Sequence, residues 1–242
     1  MKKVKEIDSF IKSEFVNSLK DIFSDNLFSV LVYGSYVKGN FVPGVSDINV
    51  LILLNKPDNN AILNFGKTLH KKIKKFIITP LIITKDEFLR SADVFPIEYF
   101  DIKSRHLLIY GEDIIEKLEL KKTNLRHQIE DRLRGSLVSL RQVLVASKGK
   151  RYILKKYLLN WPGLYNALFR GLLILEDEKN IPDGSFELLE RVKETYKIET
   201  KNFINLYNYK ETKKGDPLGI LNGLIFSIQE IIRLVDQKTI SE

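Results

Sequence analysis

Two short apolar runs, joined by a glycine turn and a loop, constrain this chain more than any other feature. Residues 28–33 (Phe-Ser-Val-Leu-Val-Tyr) are β-prone and lead directly into Gly34-Ser35, and residues 47–54 form a second run that opens on Asp47 and Asn49. Runs this apolar read as strands. Positions i and i+2 of a strand share a face, so Asp47 and Asn49 point the same way. Glycine permits close approach of the backbone to an anion, and a short helix after Gly34 would turn N–H groups and a partial positive charge toward it. Ser35 adds a hydroxyl and Lys38 a positive charge. A phosphate cradle beside a carboxylate suits Mg²⁺-assisted handling of a nucleoside triphosphate.

The surroundings of these runs predict an α/β head. Val4, Ile7, Ile11, Phe15, Leu19 and Ile22/Phe23 recur at helical spacing before the first strand. After Asn55-Lys56-Pro57-Asp58 comes a lysine-rich helix over about 59–75, then a third strand over 76–84, in which Pro80 marks an edge or an irregularity. Thr84 caps a helix opened by Asp86 and Glu87, a further helix runs from Phe95-Pro96 to Arg105, and residues 106–110 form a fourth strand ended by Gly111. Strands alternating with helices give the α/β class. Beyond about residue 120 the pattern is helical throughout. Leu125, Ile129, Leu133, Leu137, Leu140 and Leu144 make one stripe, and Ile153, Tyr157, Trp161, Leu164, Leu168, Leu172 and Leu175 a second, split or kinked at Pro162. Shorter helices follow over 186–196 and 203–209, then a long one from Leu221 to Val235. The expected organisation is a head at 1–120 and a helical-bundle tail at 121–242.

The segment Val32-Tyr33-Gly34-Ser35-Tyr36-Val37-Lys38-Gly39, with Pro43-Gly44-Val45-Ser46-Asp47-Ile48-Asn49-Val50 after it, resembles the DNA polymerase β-type nucleotidyltransferase superfamily, which includes kanamycin nucleotidyltransferase and the minimal nucleotidyltransferases. Its signature is an apolar strand, Gly-Ser, roughly ten residues, then Asp-x-Asp or Asp-x-Glu on a second strand. Residues 33–39 also look like its Gly-Ser-x-x-Arg-Gly, with lysine for arginine. The resemblance covers about residues 27–116 and implies a mixed-sheet head that binds a triphosphate through Gly34, Ser35, Lys38 and Ser46, with Mg²⁺ at Asp47 and Asn49 and Asp47 as the catalytic carboxylate. It departs from the family in two places. Family enzymes hold two Mg²⁺ with three carboxylates, whereas the second position here is the neutral Asn49, and the third strand contains no acid. The reading is therefore a nucleotide-binding protein that moves a nucleoside monophosphate onto an unknown acceptor weakly or no longer. The alternatives are a non-catalytic regulatory or interaction module and, further off, an RNA-binding protein.

Composition narrows the class. The chain has 242 residues, 44% hydrophobic and 29% charged, and no cysteine, which excludes disulfides and thiolate metal sites. Its start lacks a signal-peptide core, and its apolar runs look too short to span a bilayer, so a cytoplasmic protein without membrane contact is expected. The formal charge of +8 favours anionic partners. The clusters Lys71, Lys72, Lys74, Lys75 and Lys148, Lys150, Arg151, Lys155, Lys156 fit phosphate binding, although a solvated face is the plainer expectation. His70, His106 and His127 lack metal-ligand spacing, and no histidine follows His127, which excludes an Arg-x4–6-His ribonuclease motif in the last helices. Glu98 and Asp101, at i and i+3, are carboxylates that could reach the site from elsewhere, with helix N-terminal charge the ordinary explanation. Tyr157 and Trp161 are expected to pack in the core.

Overall fold

The structure is a computed structural model and describes residues 2–38, 41, 46–159 and 161–238, without the side chains of residues 2, 3 and 38. The chain divides into two compact units, Met1–Asp93 with Glu98–Leu120, and Val94–Ile97 with Lys121–Glu242.

The first unit is built on a four-stranded mixed sheet of order β3-β2-β1-β4. Strand β1 (Leu27–Tyr33) lies antiparallel to both β2 (Ile48–Leu54) and β4 (His106–Gly111). Strand β3 (Ile78–Thr84) runs parallel to β2, so the link between them must cross over, and α4 (Asn59–Phe76) makes the crossing. Pro80 sits on β3, the sheet edge, where its missing N–H costs no ladder bond. Helix α4 runs one residue further than the lysine pattern suggests and takes Phe76 into its last turn. Asp58 starts it by accepting from the Ala61 N–H at 2.9 Å.

Alternation along the strands feeds two cores. Val30, Val32, Ile48, Val50, Ile52 and Leu54 face the N-terminal helices and α4. Leu31, Leu51 and Leu53 face α5 (Lys85–Arg90) and α6 (Pro96–Ser104), where Phe88 stacks on Tyr99 with ring centroids 4.5 Å apart.

The N-terminal stripe is spaced more regularly than an α-helix allows. Ile7, Ile11, Phe15, Leu19 and Phe23 recur every fourth residue, and all are buried. At 3.6 residues per turn each such step drifts about 40° round the axis, so an unbroken α-helix could not keep all five on one face. The chain underwinds instead. Between α1 (Lys2–Ser9) and α2 (Val16–Phe23), residues Phe10–Phe15 are π-helical, which absorbs the drift. The apolar spacing alone predicts an ordinary amphipathic helix, and the π-helical stretch is the departure from it.

The second unit contains α7 (Lys122–Ser147), α8 (Arg151–Leu158), α9 (Pro162–Leu175), α10 (Ser185–Tyr196), α11 (Lys201–Thr212) and α12 (Pro217–Gln237), with no strand among its described residues. Helix α7 packs on α9 and α12, and α12 also on α8 and α11. Pro162 splits the second stripe by opening α9 at its first turn. Tyr165, Phe169 and Phe203 interlock at the centre, the last two at 4.8 Å and near a right angle. Two expectations fail here. Tyr157 is exposed at the end of α8, while Trp161 lies beyond that helix, edge-on to Tyr165. Helix α12, with mean hydropathy 1.6, is long and apolar enough to cross a membrane by length and composition, contrary to the reading that the apolar runs are too short. It buries Leu221, Leu224, Ile228, Ile231, Ile232 and Val235 within the unit and leaves Phe226 exposed.

Candidate functional site

The site forms where β1 ends and β2 begins. The register pairs Tyr33 with Asn49, Asn49 with Thr79 and Tyr33 with His106, so one row of side chains crosses the sheet on the α5–α6 face. Asp47 precedes β2 by one residue and is exposed, and Ser46 before it is half-buried. Gly34 ends β1 with φ +77°, a left-handed conformation that favours glycine. A Cβ there would also lie 2.7 Å from Asn49 Nδ2, so the turn and the Asn49 amide are in direct contact.

Helix α3 (Ser35–Lys38) is a single turn, closed by the Val37 N–H donating to the Gly34 carbonyl at 3.1 Å. So short a helix offers N–H groups but little macrodipole, and the charge expected from it must come from side chains instead. The Ser35 hydroxyl is buried and has no hydrogen-bond partner. A buried unsatisfied hydroxyl is costly, so one at the site mouth is a ready donor for an incoming oxyanion. Lys38 ends α3, but its side chain lies outside the described residues, as do Gly39, Asn40 and residues 42–45, including Pro43, Gly44 and Val45.

The acids behave differently from one another. The Tyr33 phenol is pushed up to about 12, first by burial and then by the negative charges of Asp101, Glu98 and Asp47. All three carboxylates thus act electrostatically on one residue of the row, and two of them come from α6 rather than from β3. Position 79, beside Asn49, is an exposed threonine. Of the acids that follow β3, Glu87 is committed elsewhere. Glu87 Oε2 accepts from the Thr84 N–H at 2.9 Å and Thr84 Oγ1 accepts from the Glu87 N–H at 3.2 Å, a complete capping box at the N-terminus of α5. Backbone and side-chain hydrogen bonds from Thr84 hold the Glu87 carboxyl below its ordinary range. Thr84 pairs with Leu54, five residues along β3 from Thr79, or about 17 Å away.

No group of three or more His, Cys, Asp or Glu residues that could hold a metal occurs among the described residues. The donor set does not fit two ions held by three carboxylates. A single Mg²⁺ arriving on a triphosphate would find one carboxylate, Asp47, and one neutral amide oxygen, Asn49. The histidines are outside this chemistry. His70 and His127 are exposed, and His106 ties β4 to Asp113 at 2.7 Å and to the Ile102 carbonyl at 3.0 Å.

One feature of the site had no signal in the local sequence. Tyr36, on α3, donates its hydroxyl to Asp8 on α1 and packs edge-on against Phe41 at 5.2 Å. Burial and the Asp8 carboxylate raise its phenol well above the ordinary range. The two partners are 28 residues apart, and only the fold brings them together.

The nucleotidyltransferase domain family matches residues 12–134. No curated protein matches the chain. Among solved structures, the chain is similar to the spectinomycin adenyltransferase AAD(9) from Enterococcus faecialis, crystallised with ATP and spectinomycin, with a TM-score of 0.55 and 15% identity over 91% of this chain and 99% of that one. At this identity the likeness is one of fold, here a kanamycin nucleotidyltransferase-like head followed by a helical region.

Proposed function

We propose that this chain, which belongs to the nucleotidyltransferase domain family, binds a nucleoside triphosphate at the Gly34–Ser35 turn and transfers its nucleoside monophosphate slowly to an acceptor hydroxyl. In such a step the hydroxyl oxygen bonds to the α-phosphorus, the bond to the β-phosphate oxygen breaks, and pyrophosphate leaves. The observation that carries the proposal is the buried, unpartnered Ser35 hydroxyl beside a glycine that only tolerates hydrogen at its Cα. Ser35 donates to a phosphate oxygen, Gly34 lets the backbone approach, and Lys38 and Ser46 supply a charge and a hydroxyl. A Mg²⁺ bound with the triphosphate would neutralise phosphate charge, with Asp47 as its one protein carboxylate. A single acid just before β2 and a threonine at position 79 explain why the rate would be low. The relative of like fold was crystallised with ATP and a separate acceptor molecule, which supports a triphosphate donor and a distinct acceptor.

A second reading, a non-catalytic nucleotide-binding or regulatory module, is favoured by the same Asn49 and Thr79. One pair of measurements separates the two. Calorimetry with each of the four triphosphates and Mg²⁺ tests binding, and transfer of labelled nucleotide to acceptors in cell extract tests chemistry. Binding without transfer selects the second reading, and the absence of both at millimolar triphosphate rejects a nucleotide site altogether.

A further inference from the structure

The second unit carries a surface that the nucleotide site does not use. Lys148, Lys150, Arg151, Lys155 and Lys156 fall within nine residues that contain no acid, and all five are exposed. Leu154 and Leu158, each 1% exposed, seat α8 against its neighbours, so the helix turns a cationic face outward. Arg151 Nη2 donates to the Gly215 carbonyl at 2.7 Å, which draws the loop carrying exposed Lys213 and Lys214 to the same corner. The acid in that loop, Asp216, is committed to capping α12 through the Leu218 and Gly219 N–H groups. Elsewhere Lys72, Lys75, Lys122 and Lys238 are paired with carboxylates, but none of these seven cations has an ion-pair partner among the described residues. With the whole chain at +8, much of the excess positive charge is gathered here.

Aromatic rings are interleaved with the charges. Tyr152 is 71% exposed and Tyr157 41%. Tyr152 and Lys156 are neighbours on the helix surface at i and i+4, as are Arg151 and Lys155. Like charges at that spacing repel, which an anionic partner would relieve. Cations track a phosphate backbone, and exposed rings stack on unpaired bases. We propose that this face of α8 binds single-stranded nucleic acid, with the lysines and Arg151 on phosphates and Tyr152 under a base. A duplex hides the faces of its bases from such a ring. A bilayer would call for outward apolar side chains, and Leu154 and Leu158 are in the core. The proposal is independent of nucleotide transfer by the first unit.

Fluorescence anisotropy with the full chain and a labelled, unstructured RNA of about 15 nucleotides tests it. The expected result is micromolar binding at low salt, with a log–log salt slope of about −3, as for roughly four phosphates on a single strand. The combined change Lys150→Glu, Lys155→Glu, Lys156→Glu should weaken binding more than about tenfold and flatten that slope. Tyr152→Ala should weaken it by about tenfold with the slope intact. Triphosphate binding should be unchanged in both. If the triple variant melts early, Lys155→Gln and Tyr152→Ser, each at an exposed position, carry the test instead. The proposal is overturned by no wild-type binding up to about 100 μM, by equal binding of the variants, by tighter binding of a duplex of the same length, or by capture on phosphatidylserine vesicles without RNA binding.

Discussion

The two ends of β2 treat their polar groups in opposite ways. At the end near Leu54, most polar groups are answered, the buried Ser29 hydroxyl opposite Leu53 excepted. Asn26 and Lys56 exchange hydrogen bonds at 2.8 and 3.1 Å, the Asn55 amide donates to the Asp25 carbonyl at 2.9 Å, and Thr84 and Glu87 close a capping box on each other. At the end near Ile48, the Ser35 hydroxyl is buried without a partner, and Asp47 and Asn49 make no side-chain hydrogen bond to another described residue. Both ends are rich in Asn, Asp, Ser and Thr, so composition does not separate them. The difference is one of degree: one end carries side-chain hydrogen bonds and a capping box, and at the other Asp47 and Asn49 have none with a described residue.

The largest expected effect that tests this contrast is at Gly34. Gly34→Ala meets both a left-handed φ and the Asn49 amide, and should destabilise the first unit by about 2–4 kcal/mol and abolish triphosphate binding. Urea titration and calorimetry read the two effects. A variant as stable as wild type would mean that the turn is not in contact with Asn49. Ser35→Ala should weaken triphosphate binding roughly ten- to hundredfold through one lost charge-assisted hydrogen bond, while leaving stability unchanged or slightly higher, since an unsatisfied hydroxyl is removed. Loss of stability without loss of affinity would place that hydroxyl among the structural groups. Thr84→Val, at the satisfied end, should do the reverse and cost about 1 kcal/mol of stability with affinity intact.

The smallest effect concerns Asn49→Asp, which sets a second carboxylate beside Asp47. Without Mg²⁺ it should lower the melting temperature by a few degrees, from about 0.5–1 kcal/mol of like-charge repulsion, and saturating Mg²⁺ should restore it. Melts of wild type, Asn49→Asp and Asp47→Ala with and without Mg²⁺ check this. If Mg²⁺ shifts Asn49→Asp no more than Asp47→Ala, position 49 is not beside a metal position.

Much of the fold could be read from the chain because its signals are local. Apolar runs marked the four strands, Pro80 the edge, Thr84 a cap, and Pro162 the break between α8 and α9. The i, i+2 spacing of Asp47 and Asn49 after the glycine turn suggested that Asn49 faces Gly34, and the antiparallel register of β1 and β2 brings the two into contact. What was not legible depends on distance in sequence or on small angles. Nothing in residues 33–39 announces that Tyr36 binds Asp8, and nothing in Glu98 or Asp101 announces that their charges reach Tyr33. The exposure of Tyr157 was missed because helical spacing was carried across Pro162, where the helix has ended.

The π-helical stretch Phe10–Phe15 acts as an indexing device for the site. It is equivalent to one residue inserted into a regular helix, and the surplus residue sets the angular phase of everything before it. Removing one exposed residue there, such as Ser13, would let the segment relax to α-helix and turn Lys2–Ser9 by about 100°. Ile7 would then leave the core and Asp8 would swing away from Tyr36, releasing α3 and with it the Ser35 hydroxyl. The phase of a helix thus decides whether α3 keeps the contact between Tyr36 and Asp8.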